Sequence, residues 1–90
     1  MSKEKTEKPT INKAAARHLL GQIRADIVEA RLELERGSLT VANRILTGVC
    51  KLRYVLRMNE AHADVAEEAD KLITPIVADV AAEELRRSRL

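Results

Sequence analysis

Residues 12 to 36 carry two apolar seams written on one helical period. The first runs Ala16, Leu20, Ile23, Ile27, Ala30, Leu34, in steps of three and four. The second runs Ala14, His18, Gly21, Ala25, Val28, Leu32 in the same alternation. At about 100° per residue the two stripes lie about 180° apart on a helix. Arg17, Arg24 and Arg31 fall on one flank between them, and Asp26, Glu29 and Glu33 on the other. A helix that covers one core needs one stripe. Two stripes predict packing on both sides, the second against helix 3 or against a second copy of the chain.

The punctuation of the chain places the remaining elements. Thr10 or Asn12 is suited to cap the first helix, and Gly37 stands where a left-handed residue closes a last turn. Ser38 follows at once as an N-cap candidate, so helices 1 and 2 are expected to form a tight antiparallel hairpin. Helix 2 is predicted over 39–58, with a stripe of Ala42, Ile45, Val49, Leu52 and Leu56, Val41 beside it, and Asn59 as terminator. Helix 3 is predicted from about residue 61 into the eighties. Its seam is Ala66, Ala69, Ile73, Val77 and Val80, flanked by Leu72 and Ile76. Pro75 either kinks this helix or restarts it, with Thr74 as a new N-cap. The C-terminal RRSRL is expected to be exposed and to fray.

The fold class that follows is all-α. An antiparallel helical hairpin joins a third, Pro-interrupted helix in a small helical bundle, completed by dimerisation. Residues 1–9 alternate Lys and Glu and close on Pro9, which predicts a disordered charged tail ahead of a single helical domain at 10–88. Composition strengthens the case for assembly. A chain of 90 residues is short, and one of this size buries only about 60–65% of its unfolded surface. Tyr54 is the one aromatic residue, so the core must be built from small aliphatic side chains. Self-association is a common remedy for a core of that kind.

Charge adds a second pattern that the net value of +2 conceals. From Arg36 to Arg57 the chain carries Arg36, Arg44, Lys51, Arg53 and Arg57 and no acid. From Glu60 to Glu84 eight acids stand against Lys71 alone. One reading docks acidic helix 3 along basic helix 2, each exposed pair contributing about 0–1 kcal/mol. The other turns Arg44, Lys51, Arg53 and Arg57 toward phosphate, although no interleaved aromatic is present for base stacking. The lone Cys50 excludes an intrachain disulfide and fits a reducing compartment. No apolar run reaches membrane-spanning length and the charged N-terminus is not a secretory signal, so a cytoplasmic protein is expected.

Chemistry-bearing residues are sparse. His18, His62 and Cys50 are the only imidazoles and thiol. Folding about Gly37–Ser38 brings His18 and His62 toward one end of the hairpin and leaves Cys50 about 10 Å away. Metal-ligand spacings, phosphate loops and nucleophile elbows are all absent from the sequence. Glu67–Glu68 and Glu83–Glu84 are adjacent pairs that do not face each other on a helix. No catalytic residue, metal or cofactor is therefore expected. The same mirrored numbering sets Gly21 level with Tyr54 and Gly48 level with Ile27, which predicts notches that receive a neighbour's side chain.

Ala30, Gly37, Leu39, Ala42, Leu46 and Val49 together are similar to the turn and second helix of a tetratricopeptide-type hairpin. There, small residues permit close antiparallel packing. The aromatic expected before the Gly is missing, and no repeat at about 34 residues follows, so no family is assigned. A helix-turn-helix centred on Gly37 also fails, because Arg36, Ser38 and Asn43 fall where such a unit buries apolar side chains. The function expected is a non-enzymatic protein–protein interaction module, a small regulator, adaptor or inhibitor. It would pair with itself or another protein through the seam Ala14, His18, Gly21, Ala25, Val28, Leu32, with no membrane partner. The alternative is a dimeric helical nucleic-acid binder using Arg44, Lys51, Arg53 and Arg57.

Overall fold

The chain is described by a computed structural model over residues 11–89. The expected tail and Thr10 lie outside those residues. Three α-helices are present: α1 (Lys13–Glu35), α2 (Leu39–Met58) and α3 (Ala63–Ser88), with a short 3-10 turn, Glu60–His62, before α3. No strand occurs among the described residues. The helices run up, down and up. Asn43 reaches Glu84 and Arg57 reaches Asp70, the order of antiparallel neighbours. Lys13–Asp64, Arg24–Glu68 and Arg31–Asp79 descend in the same order, so α1 and α3 are parallel.

The caps explain the boundaries. Asn12 has extended backbone angles, and its Oδ1 accepts from the Ala15 N–H at 2.7 Å, which fixes the start of α1. At the far end Gly37 has φ +86°. The Ser38 N–H donates to Glu33 at 2.8 Å and the Gly37 N–H to Leu34 at 3.1 Å. This is a Schellman closure, and only a residue comfortable at positive φ completes it without strain. Ser38 does take the N-cap position of α2, but its side chain makes no capping bond.

The interior has two contiguous parts. Ala16, Leu20, Ile23, Val49, Leu56, Val65, Ala66, Ala69 and Ile73 are buried together near the start of α1. Ala30, Ala42, Leu46, Ile76 and Val80 form the second part, toward the hairpin turn. Ile27 and Ile45 pack against both and join them. The first seam of α1 is thus the core stripe.

Several expectations are corrected in the other two helices. Leu46 is a core residue of α2 that the stripe omitted, while Ile45 and Leu52 are only half-buried and Val41 is exposed. In α3, Ile76 is fully buried and Val77 is 42% exposed, the reverse of the expected assignment. The rest of the expected seam, Ala66, Ala69, Ile73 and Val80, is buried, and Val65 joins it. α3 passes Pro75 as one helix, so the restart is not found. Thr74 is not an N-cap; its hydroxyl donates back to the Asp70 carbonyl at 2.8 Å, as within a continuing helix. Pro75 itself is exposed. The helix persists through Ser88, and the Arg87 guanidinium donates to the Gly37 carbonyl at 2.9 Å, tying the expected fraying end to the α1–α2 turn.

Candidate functional site

Two surfaces remain uncovered by the packing of these helices. The first is the back of α1. Ala14, His18, Gly21, Ala25, Val28 and Leu32 are all exposed, and α3 does not cover them. Their side of the helix is opposite to Ala16, Leu20, Ile23 and Ala30, which are buried. Between the two faces, Lys13, Arg24 and Arg31 reach across to α3 at 2.9, 2.6 and 2.8 Å. These pairs hold α3 to one flank of α1 and leave the second seam facing away. Val28 is 62% and Leu32 46% exposed.

The second surface is a groove of about 710 Å³ between α2 and α3. Leu46 and Val80 form its buried floor, Cys50 is half-buried beside them, and Tyr54, Val55 and Val77 stand exposed along its walls. Asn43 and Glu84 close one end with a 2.8 Å hydrogen bond. Lys51 lies on the α2 rim. The sequence stripe of α2 did not single out this groove. Its walls are a second row of apolar residues, about 100° from the core stripe, whose spacing is interrupted by Thr47 and Lys51.

The charge pattern resolves unevenly. Acidic α3 is matched chiefly by α1, through Lys13, Arg24 and Arg31. From α2 only Arg53 and Arg57 reach it. They converge on Asp70 at 3.7 and 2.9 Å, and Arg57 makes the hydrogen bond. Arg44 and Lys51 form no ion pair among the described residues. At the end of α3, Glu83 accepts from both Arg86 and Arg87, and these two guanidinium bonds hold its carboxyl down to about 2. The Lys13 ammonium likewise lowers the carboxyl of Asp64.

The histidines do not form a site. His62 is buried and its Nε2 lies 2.6 Å from the Ile11 carbonyl, while His18 faces out from the back of α1. No cluster of metal-ligating side chains occurs among the described residues. The glycine notches are also corrected. A Cβ at Gly21 or Gly48 would meet nothing within 4 Å, and Tyr54 is 63% exposed rather than seated against Gly21. Mirrored numbering gave their level along the hairpin but not their direction, and both point away from it.

No protein-family model matches the chain, and comparison with curated proteins and with solved structures returns no match. No helix among the described residues is long and apolar enough to cross a membrane.

Proposed function

We propose that this protein is a non-enzymatic interaction module that works by presenting helix faces, and that the back of α1 pairs with a second copy. The observation that carries this reading is the second seam. Six residues keep an unbroken alternation of three and four, the spacing of a coiled-coil seam, on a face that the bundle leaves open. The core of α1 is complete without it. In an antiparallel two-fold pair centred near Ile23, Ala14 comes opposite Leu32 and Gly21 opposite Ala25. Small residues then meet large ones at the ends, and the middle permits close approach. Isologous two-fold pairing is the commonest closed arrangement for such a face.

The nucleic-acid reading has weaker support, because Arg53 and Arg57 are committed to Asp70. Sedimentation and a salt-dependent gel shift test the two together. The expected result is a dimer at tens of micromolar that Ala25→Glu converts to a folded monomer, with no retardation of DNA or RNA at low salt. A wild-type monomer at that concentration overturns the pairing. Retardation that weakens steeply with salt favours the alternative.

A further inference from the structure

The α2–α3 groove is apolar along its floor, with cations along its α2 rim and one carboxylate, Glu84, at its end beside Asn43. Tyr54, Val55 and Val77 are exposed at 63, 40 and 42%, unusual exposure for neighbouring large apolar side chains in a small chain. Lys51 lines the α2 rim, and the exposed Arg44, one heptad earlier and so on the same side of α2, stands about 10 Å along the helix from it. Neither has an acidic partner among the described residues, whereas Arg53 and Arg57, on the side of α2 that meets α3, are held by Asp70. The α3 rim offers Val77 and Ala81, and its one carboxylate, Glu84, is engaged by Asn43 at 2.8 Å. A polyanion laid along this groove would set phosphates over an apolar floor with cations on one side. An amphipathic helix suits the asymmetry better, since its apolar stripe fills the trough while one flank meets the cationic rim.

We infer that the α2–α3 groove docks an amphipathic helix of a partner protein that carries carboxylates one heptad apart over Arg44 and Lys51. The trough from Asn43 to Tyr54 runs about 16 Å, so it accepts roughly three turns of helix. Anchors at i, i+3 or i+4 and i+7 would fall against Leu46, Cys50 and Tyr54 on one wall and Val77 and Ala81 on the other. This docking shares with the reading above the presentation of helix faces, but it does not depend on pairing through α1.

The groove contains its own reporters, because Tyr54 is the only aromatic residue of the chain and Cys50 the only thiol. The probe is a synthetic amphipathic peptide about four turns long, free of Cys and aromatic residues, with Glu at the two flank positions. A matched peptide carries Lys there, and single-stranded and duplex oligonucleotides serve as polyanions. The full chain is titrated with each. The acidic peptide is expected to slow modification of Cys50 by a disulfide reagent about tenfold and to change Tyr54 emission, whereas the Lys peptide binds about tenfold more weakly. Combined Arg44→Glu and Lys51→Glu should reverse that preference. Val77→Glu, on an exposed wall position, should abolish protection while the helical circular dichroism is unchanged. No protection by the acidic peptide, or equal protection by both peptides, overturns the proposal. So does protection by the oligonucleotides alone, which would mark a nucleic-acid surface. Protection that rises with protein concentration without any peptide would assign the groove to a second copy and overturns it equally. Dimerisation read by sedimentation separates these outcomes from failure of the α1 pairing.

Discussion

The His62 imidazole Nε2 lies 2.6 Å from the carbonyl oxygen of Ile11, 51 residues earlier in the chain. A carbonyl only accepts, so Nε2 carries the hydrogen, and Nδ1 is left buried without a hydrogen-bond partner among the described residues. Asn59 holds the other side of the same residue: its Oδ1 accepts from the Ile11 N–H at 3.1 Å, and its Nδ2 donates to Val55 at 2.8 Å. The turn between α2 and α3 thereby clasps the chain just before α1 begins. Two polar side chains are buried to satisfy one backbone unit.

Asn59→Ala should therefore cost about 1–3 kcal/mol, because it strands the Ile11 N–H and the Val55 carbonyl together. Asn59→Asp keeps the acceptor for Ile11 but buries a carboxylate whose second oxygen faces the Val55 carbonyl, so at neutral pH it should cost at least as much. Thermal melts give the ranking. Hydrogen exchange at the Ile11 amide should accelerate in the Ala variant and much less in the Asp variant.

Much of the fold could be read from the sequence because helical period and caps are local. Asn12, Gly37 and the core stripe of α1 all act within a few residues, and each stands where the pattern put it. The 3-10 turn and the Asn59–His62 clasp were not legible, since they depend on contacts about fifty residues apart that no periodicity records. The exchange of Val77 for Ile76 has the same origin. Both fit a stripe of α3, and only the docking angle against α1 and α2 decides between them. At the candidate surfaces, the second seam of α1 was visible as an excess of apolar positions. The α2–α3 groove was not, because its walls come from two helices and neither row is complete alone.

Gly48 occupies the interior of α2 with open space where a side chain would stand. Gly48→Ala should therefore stabilise the fold by about 0.5–1 kcal/mol, the usual difference in helix propensity. Gly37→Ala should do the opposite, since φ +86° costs an L-residue roughly 1–2 kcal/mol. Urea unfolding of the two variants checks both signs. A loss of stability in Gly48→Ala would mean that the position is already in contact with another chain.

Asp70 collects the charge that joins α2 to α3, so the electrostatic part of that docking is tested at Asp70 rather than at Arg44 and Lys51. Asp70→Asn should cost about 1 kcal/mol, as its partners Arg53 and Arg57 are partly exposed. The loss should shrink in high salt. Arg44→Glu and Lys51→Glu should each change stability by less than about 0.5 kcal/mol. Melts of all three variants at low and high salt make the comparison.

Glu83 should titrate near 2 rather than near 4.5, because Arg86 and Arg87 both bind its ionised form. A carboxyl lowered on folding contributes stability that is fully present above its unfolded value. That contribution is lost as the pH falls from about 4.5 through about 2. Carbon-detected NMR titration of the side chain reads the midpoint directly. In a variant with Arg86→Gln and Arg87→Gln the midpoint should return toward the ordinary glutamate range, and the acid loss of stability assigned to this group should disappear.

Pro75 lies inside α3 and has no N–H to give the Lys71 carbonyl, the acceptor one turn back. Both residues are exposed, so water can satisfy that carbonyl, and the helix continues past the missing bond. Neighbouring contacts help it do so: Ile73 and Ile76 are buried on either side of the proline in sequence, and Thr74 bonds back to Asp70. Pro75→Ala restores the backbone bond and relieves the ring's clash with the preceding turn. It should stabilise the protein by about 1–3 kcal/mol, at or below the intrinsic cost of proline in a helix interior. If Thr74–Pro75 instead began a separate helix, the same substitution would remove a favourable first-turn residue and lower stability slightly. Thermal melts of Pro75→Ala decide the sign, and amide exchange at residues 75–79 shows whether the bond across position 75 has formed.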